Sequence, residues 1–537
     1  MVKSTADDRG CHPPDREGPR LCFGKMEMEE FTMAKQSMPV PEQGNDRGSF
    51  GSNIGFLLSA IGSAVGLGNI WGFPYKMGKS GGFSFLLIYL LLAIFVGFVI
   101  MLGELALGRK TGFGPVNAYA AVSKKFKWAG WLGVIVPFLV MTFYSVLGGY
   151  CIYYIIVNVI GLFSGGAPGN EVFGALLLTP GFGIGCTLLF MLICYFINRN
   201  GVGGGIEKFN EVGMPALFVL LVVVIIRSLT MPYASVGLKF MFVPGYSTKE
   251  VIVNGVSYGS FLESAPGALS VLATAAGQMF FSLSLAMGAM ITYGSYLSKS
   301  ESLPKNSVII TVADTLVAIM AGIAVIPAAV AHGMAQIDAG ELESVAQIKL
   351  NGPGLLFSTL QNVFHSMGVL GAVIGLLFFV LVLIAAVSSA ISLVEAVSVT
   401  FIDRASARGH EVSRPRTVGI VCVVIMIFAI FVCVDGLAER PFTPADMFGW
   451  KVGTWNDCWL DFMDVWSEGI AMPLGALIMA LMIGWELKPK FFADEIRQGD
   501  SGKCIGFWGV CMKFIVPIVM VFVLLVQISS FFDLGWF

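Results

Sequence analysis

The sequence predicts an all-α protein that crosses a membrane many times, and three observations predict it. Mean hydropathy is +0.80, with 56% apolar and only 13% charged residues over 537 positions. Soluble domains carry roughly 25% charge, so this chain has too little polar surface to cover water-facing cores. Apolar runs close to the ~20 residues that span a hydrocarbon core recur along it. None alternates apolar and polar residues as a barrel strand would, and backbone groups in lipid must bond within their own segment, so the runs read as helices. A net charge of −2 removes nucleic acid as a natural partner. The ten cysteines form no C-x-x-C pair and read as packed thiols.

Residues 1–48 mix charges with Pro13, Pro14, Pro39 and Pro41 and hold no apolar stretch. They predict a disordered cytoplasmic tail without a cleavable targeting segment. Spans follow at about 53–76, 82–108, 130–161, 180–197, 213–230, 268–297, 306–330, 369–400, 417–434, 467–487 and 506–531, eleven in all. They divide the chain into a first five-helix unit at 49–230, an extracellular loop at 231–267, a second five-helix unit at 268–487, and a cytoplasmic loop with the last helix at 488–537. With the amino terminus inside, 17 Lys and Arg fall in the cytoplasmic loops between spans against 7 in outer segments. That bias predicts a multi-pass protein of the cell membrane, amino terminus cytoplasmic and carboxy terminus extracellular. Whether it is a monomer or a dimer is not written in these patterns.

Two spans are poor continuous helices. The first contains Gly62-Ser63-Ala64-Val65-Gly66-Leu67-Gly68-Asn69, and each interior glycine costs roughly 1 kcal/mol against alanine. Close helix packing through small residues would explain the glycines alone. Asn69 adds a polar amide at membrane depth, which needs a partner or a ligand. The sixth span contains Gly277-Gln278-Met279-Phe280-Phe281-Ser282-Leu283-Ser284-Leu285-Ala286-Met287-Gly288. It lies five helices later and so runs the opposite way. Weak points at matching places in two such halves point to a transporter built from an inverted repeat. Unwound carbonyls there would face a cation, and freed N–H groups would face a carboxylate.

Glu104, Tyr144, Asp314, Ser388, Ser389 and Glu395 also sit inside apolar runs. The adjacent serines either bond their own helix backbone or offer oxygen to a small hard cation. A buried carboxylate without a partner costs several kcal/mol, so Glu104 either serves the interior or pairs with Arg109 at its helix end.

Three strings carry a resemblance that covers about residues 47–530: Ala64 to Asn69 with Phe73-Pro74-Tyr75, Gly205-Ile206-Glu207-Lys208-Phe209 with Met214-Pro215, and Gln278 to Ser284. The chain resembles the neurotransmitter:sodium symporter family in its bacterial amino-acid branch. The resemblance implies a leucine-transporter-like 5+5 inverted repeat whose first and sixth helices break at the midplane. It implies sodium-coupled symport of a neutral, hydrophobic or aromatic amino acid by alternating access. A proton-coupled transporter or exchanger of the same fold and a non-transporting amino-acid sensor are the alternatives. An enzyme is not expected, because His332 and His365 lack H-E-x-x-H spacing and no nucleophile elbow occurs.

Carried over residue by residue, the resemblance places one sodium ion at Ala64, Asn69, Ser282 and the substrate carboxylate, with Asp314 nearby. It places a second at Gly62, Val65, Ala385, Ser388 and Ser389. The substrate would meet Ala64, Leu67, Gly68 and Tyr144 with its charged groups, and Val140, Phe281, Ser284, Met287, Ser389 and Leu393 with its side chain. Arg47, Tyr296 and Asp403 would form the inner gate. In the outer gate Asp464 is present, but Gly72 stands where the family's arginine is usual, and Lys76, a turn further on, is the substitute cation expected to reach Asp464. In the seventh span an ungapped count puts Ala313 rather than Asp314 at the family's asparagine. Tyr89 and Gln278 match chloride-site positions. A fixed carboxylate at Asp314 would replace the anion electrostatically, so two sodium ions and no chloride requirement are expected.

Overall fold

The computed structural model describes residues 49–350, 352–449 and 457–536; the tail expected over 1–48, and with it Arg47, lies outside them. Among the described residues nine helices are long and apolar enough to cross a bilayer: Phe83–Thr111, Lys127–Ser164, Pro180–Asn198, Val202–Leu229, Leu303–Asp338, Gly368–Ser406, Arg414–Asp435, Trp459–Glu486 and Ile505–Phe531. A tenth span is the pair Asn53–Ala64 and Gly68–Lys79, bent by 44° at its break. The helices Ala268–Ser282 and Ala289–Ser295 make the sixth span, separated by six non-helical residues from Leu283 to Gly288. The eleven expected spans are therefore present in order.

Both breaks follow from local chemistry. In the first span Val65 leaves the helix in an extended conformation, with ψ 102°, where Gly62, Gly66 and Gly68 give little helical preference to oppose it. In the sixth, Ser284, Ala286 and Gly288 have φ of 52°, 58° and 73°. Ser284 and Ala286 occupy the left-handed region at about 1–2 kcal/mol each, so the surroundings must hold them there.

Two boundaries differ from expectation. The fifth span starts at Val202 rather than near 213, because the glycine-rich stretch is wound as a π-helical segment over Val202–Glu207. Pro215 lies within the following helix, Lys208–Leu229, without ending it. The tenth span starts at Trp459 rather than near 467. Asp461, Asp464 and Glu468 interrupt its apolar run, but Asp461 and Glu468 are buried against the protein and do not mark a water-exposed loop.

The third and eighth spans pack along one another over much of their length, and the first span is held between the fifth, seventh and eighth. The segment 231–267 carries a short helix, Ala234–Phe242, and a hairpin pairing Ile252–Val253 with Val256–Ser257. Between 331 and 368, a π-helical turn at Leu355–Thr359 and a helix at Leu360–His365 precede the eighth span.

Candidate functional site

The two breaks meet at one cavity, of at most about 240 Å3, lined by Ala64, Gly66, Gly68, Val140, Tyr144, Phe281, Ser284, Met287, Ser389 and Leu393. Nine of these are residues expected from the sequence to hold substrate. Gly66 is the addition, and a Cβ there would stand 2.3 Å from Ser389 Oγ and 2.5 Å from Tyr144 Oη, so only glycine lets the unwound backbone approach the third and eighth spans. Leu67 does not line the cavity. Its N–H instead donates to the Tyr144 hydroxyl at 3.1 Å. The wall is mainly apolar, with hydroxyls at Tyr144, Ser284 and Ser389 and no charged side chain. The Ser284 hydroxyl is directed to the Ser63 carbonyl at 2.7 Å, tying the sixth-span break to the first span.

Beside the cavity, five oxygens from the first and eighth spans converge. Ser388 Oγ lies 2.9 Å from the Ala385 carbonyl and 3.3 Å from that of Val65. Ser389 Oγ lies 3.3 Å from the Gly62 carbonyl and 3.4 Å from that of Val65. Each hydroxyl has one proton for two carbonyls, so carbonyl lone pairs remain in a buried place. Three carbonyl dipoles with two hydroxyls suit a small hard cation.

A second polar cluster joins the first, second, sixth and seventh spans. Asp314 Oδ1 accepts from Asn69 Nδ2 at 2.7 Å, and Asp314 Oδ2 accepts from Ser282 Oγ at 2.9 Å and from Tyr89 Oη at 3.3 Å. Asn69 Oδ1 takes the Gly66 N–H at 2.9 Å, so the amide joins the broken backbone to the carboxylate. Gln278 Nε2 donates to the Gly68 carbonyl at 2.7 Å. Asp314 is fully buried and faces this cluster, whereas Ala313 is turned aside and partly exposed. Helical register thus turns Asp314, and not Ala313, toward this cluster.

Several charged residues stand differently from expectation. The ion pair of Lys76 is with Glu468, not Asp464, and both partners are buried; Asp464 lies one turn earlier on the same helix, within electrostatic reach of both. The Lys76 ammonium is 5.8 Å from the Phe281 ring centroid, and Phe281 stacks on Phe143 at 6.4 Å and meets Tyr144 at 6.3 Å. Arg109 pairs with Glu495 at 2.7 Å, so it is not the partner of Glu104. Glu104 Oε1 instead accepts the N–H of Ala286 at 2.7 Å, holding the strained sixth-span break. Near the end of the eighth span, by the loops that carry most of the Lys and Arg and form a basic end, Asp403 Oδ2 accepts the Gly114 N–H at 2.8 Å. Tyr296 donates to Glu395 Oε1 at 2.8 Å, and the other oxygen of Glu395 is ion-paired with Arg414. The gate partner expected for Asp403, Arg47, is outside the described residues. Glu468 and Arg414 escaped sequence reasoning because each reads as a solvated charge near a helix end.

Comparison with known proteins follows the same geometry. Residues 47–162 and 183–536 match the sodium:neurotransmitter symporter family. The chain is 32% identical to an uncharacterized sodium-dependent transporter of Bacillus subtilis over 89% of its own length and 98% of that protein's. It is 27% identical to another of Methanocaldococcus jannaschii, over 91% and 92%. Among solved structures it resembles MhsT in complex with L-phenylalanine, with a TM-score of 0.75 and 35% identity, covering 90% of this chain and all of that one.

Proposed function

The chain belongs to the sodium:neurotransmitter symporter family, and from that premise we propose that it takes up a neutral hydrophobic or aromatic amino acid together with two sodium ions, without needing chloride. The family is one of sodium-dependent membrane transporters, not enzymes. The observation that carries the finer reading is the junction of two broken helices at one small, uncharged cavity flanked by two oxygen-rich clusters.

One sodium ion would sit among Gly62, Val65, Ala385, Ser388 and Ser389. The other would sit by Ala64, Asn69 and Ser282, joined by the substrate carboxylate and balanced by Asp314. To present oxygen there, Asn69 Oδ1 would exchange the Gly66 N–H it now accepts for the ion, while its Nδ2 keeps donating to Asp314. The carboxylate would lie by the Tyr144 hydroxyl and the backbone of Leu67 and Gly68, and the ammonium by the carbonyls of Ala64 and Phe281. Val140, Phe281, Met287 and Leu393 offer no charge to a substrate side chain, which favours an apolar one. The flexible thioether of Met287 adapts to an aromatic ring. The phenylalanine held by MhsT agrees with that choice.

In this reading the basic end faces the cytoplasm. Phe281, Lys76, Glu468 and Asp464 close the outer side, and Tyr296, Asp403 and Arg47 the inner side. Two sodium ions entering at a potential of ~100 mV supply about 4.6 kcal/mol before their concentration gradient is counted. The experiment is equilibrium binding of labelled amino acids to purified protein, with sodium, potassium and chloride varied, alongside uptake into vesicles. Phenylalanine or leucine should bind in sodium alone. Equal binding in potassium would remove sodium coupling, preference for a charged amino acid would remove the substrate class, and binding without accumulation would make the protein a sensor.

A further inference from the structure

The side of the Ser388 and Ser389 oxygen cluster that faces the fifth span has a polar atom that nothing above employs. Asn210, three residues after the π-helical segment Val202–Glu207, is fully buried. Its Nδ2 donates to the Ile206 carbonyl at 2.9 Å, while Oδ1 has no hydrogen-bond partner among the described residues. That oxygen is aimed at the first span: a Cβ on Gly62 would stand 2.2 Å from Asn210 Oδ1 and 3.0 Å from Met214 Sδ. Gly62 is the residue whose carbonyl belongs to the cluster. One turn nearer the basic end, Glu207 Oε2 accepts the N–H of Gly51 at 2.9 Å. The fifth span therefore lies along the lower half of the first, and Asn210 brings an amide oxygen to the seam beside the ion cluster.

A buried amide oxygen left without a donor is normally costly. An oxygen with free lone pairs is, however, what a dehydrated cation needs as it leaves a cage of carbonyls and hydroxyls. We propose that Asn210 is a transfer ligand for the sodium ion of the Gly62–Ser389 cluster, receiving it as the seam between the first and fifth spans parts on the cytoplasmic side. Glycine at 62 admits this oxygen, since the Cβ of any larger residue would collide with it. The thioether of Met214 lies beside it, 3.0 Å from the same Cβ position, so the unpartnered oxygen of Asn210 is the polar atom that meets Gly62 at this point of the seam. The role is kinetic: Asn210 lowers the barrier to release and contributes little to resting affinity.

This inference rests on the reading of that cluster as a sodium site, and the test separates the two. Sodium-dependent binding of labelled phenylalanine and the rate of 22Na+ release would be measured on wild type, Asn210→Ala, Asn210→Ser and Asn210→Asp. If wild-type binding ignores sodium, the sodium reading itself fails. If it requires sodium, Asn210→Ala should leave half-saturating sodium within about twofold while slowing release about tenfold, the size expected for losing one oxygen contact to a charge. Asn210→Ser, which restores a shorter oxygen, should recover part of the rate. Asn210→Asp should slow release by trapping the ion, with tighter sodium binding. A merely structural asparagine would instead shift thermal stability in all three variants and leave the release rate alone. Unchanged release in Asn210→Ala, or affinity and release changing in parallel in that variant, would overturn the proposal.

Discussion

Lys76 of the first span and Glu468 of the tenth form a buried ion pair, with the ammonium 5.8 Å from the ring of Phe281 over the central cavity. The family's usual outer arginine is replaced by Gly72, where a Cβ would stand 2.7 Å from Gln278 Oε1. Lys76 lies one turn beyond Gly72, and Glu468 one turn beyond Asp464 on the facing helix, so the proposed outer gate has both partners displaced by one turn.

The proposed gate must also open, so the net contribution of this pair is modest even though breaking it leaves one buried charge alone. Glu468→Gln should therefore speed dissociation of bound substrate, on the order of tenfold for each 1.4 kcal/mol lost. Filter-binding dissociation kinetics would measure it. An unaltered off-rate would remove the pair from the gate.

Ser388 belongs to the oxygen cluster proposed for sodium without lining the cavity proposed for substrate, which makes it the cleaner of the two serines to replace. Ser388→Ala removes one oxygen contact to a charge, about 1.5–3 kcal/mol. Half-saturating sodium in the binding assay should rise at least tenfold with substrate selectivity unchanged. A shift in selectivity with unchanged sodium dependence would contradict the assignment.

Asp314 places its carboxyl group beside Asn69 and Ser282, and the proposed chloride-independent transport requires it to carry the balancing negative charge. Replacing chloride by gluconate should leave wild-type uptake intact. Asp314→Ser should weaken sodium-dependent uptake in gluconate and recover when chloride is added, since a small anion can then balance the cation. Wild-type uptake that fails without chloride would refute the idea.

Glu104 accepts the N–H of Ala286, a residue in the left-handed region. Glu104→Ala strands that buried N–H and should destabilise the protein by about 1–3 kcal/mol, read as a lower unfolding temperature in detergent. Glu104→Gln keeps an acceptor and should lose less. Equal losses would mean that the hydrogen bond does not hold the break.

Met287 is one wall of the cavity. Met287→Phe should favour smaller side chains, lowering affinity for phenylalanine against valine by about 1–3 kcal/mol through overpacking. Competition binding with the two amino acids would show it, and an unchanged ratio would place the aromatic ring elsewhere.

Much of the site was legible because its signals are local. Glycines and an amide inside an apolar run marked the first break, and paired serines in an alanine-rich helix marked an oxygen cluster. The misreadings involve relationships between helices. Arg109 and Glu104 share a helix and an end, yet Arg109 is captured by Glu495 and Glu104 by the sixth-span break. Glu395 was visible as a buried acid, but nothing local singled out Arg414 among the loop bases. Their pairing depends on how the eighth span turns into the ninth.

By itself the sequence determined how many times the chain crosses the bilayer and where two helices fail, because span length and helix propensity are properties of consecutive residues in lipid. Tertiary structure alone decided that Asp314 faces the Asn69 amide, that Lys76 meets Glu468, and that the oxygen of Asn210 is aimed at Gly62. Each depends on the rotation and depth of one helix against another. A turn of about 100° or a slide of 1.5 Å per residue exchanges one facing side chain for its neighbour without altering the hydrophobic pattern.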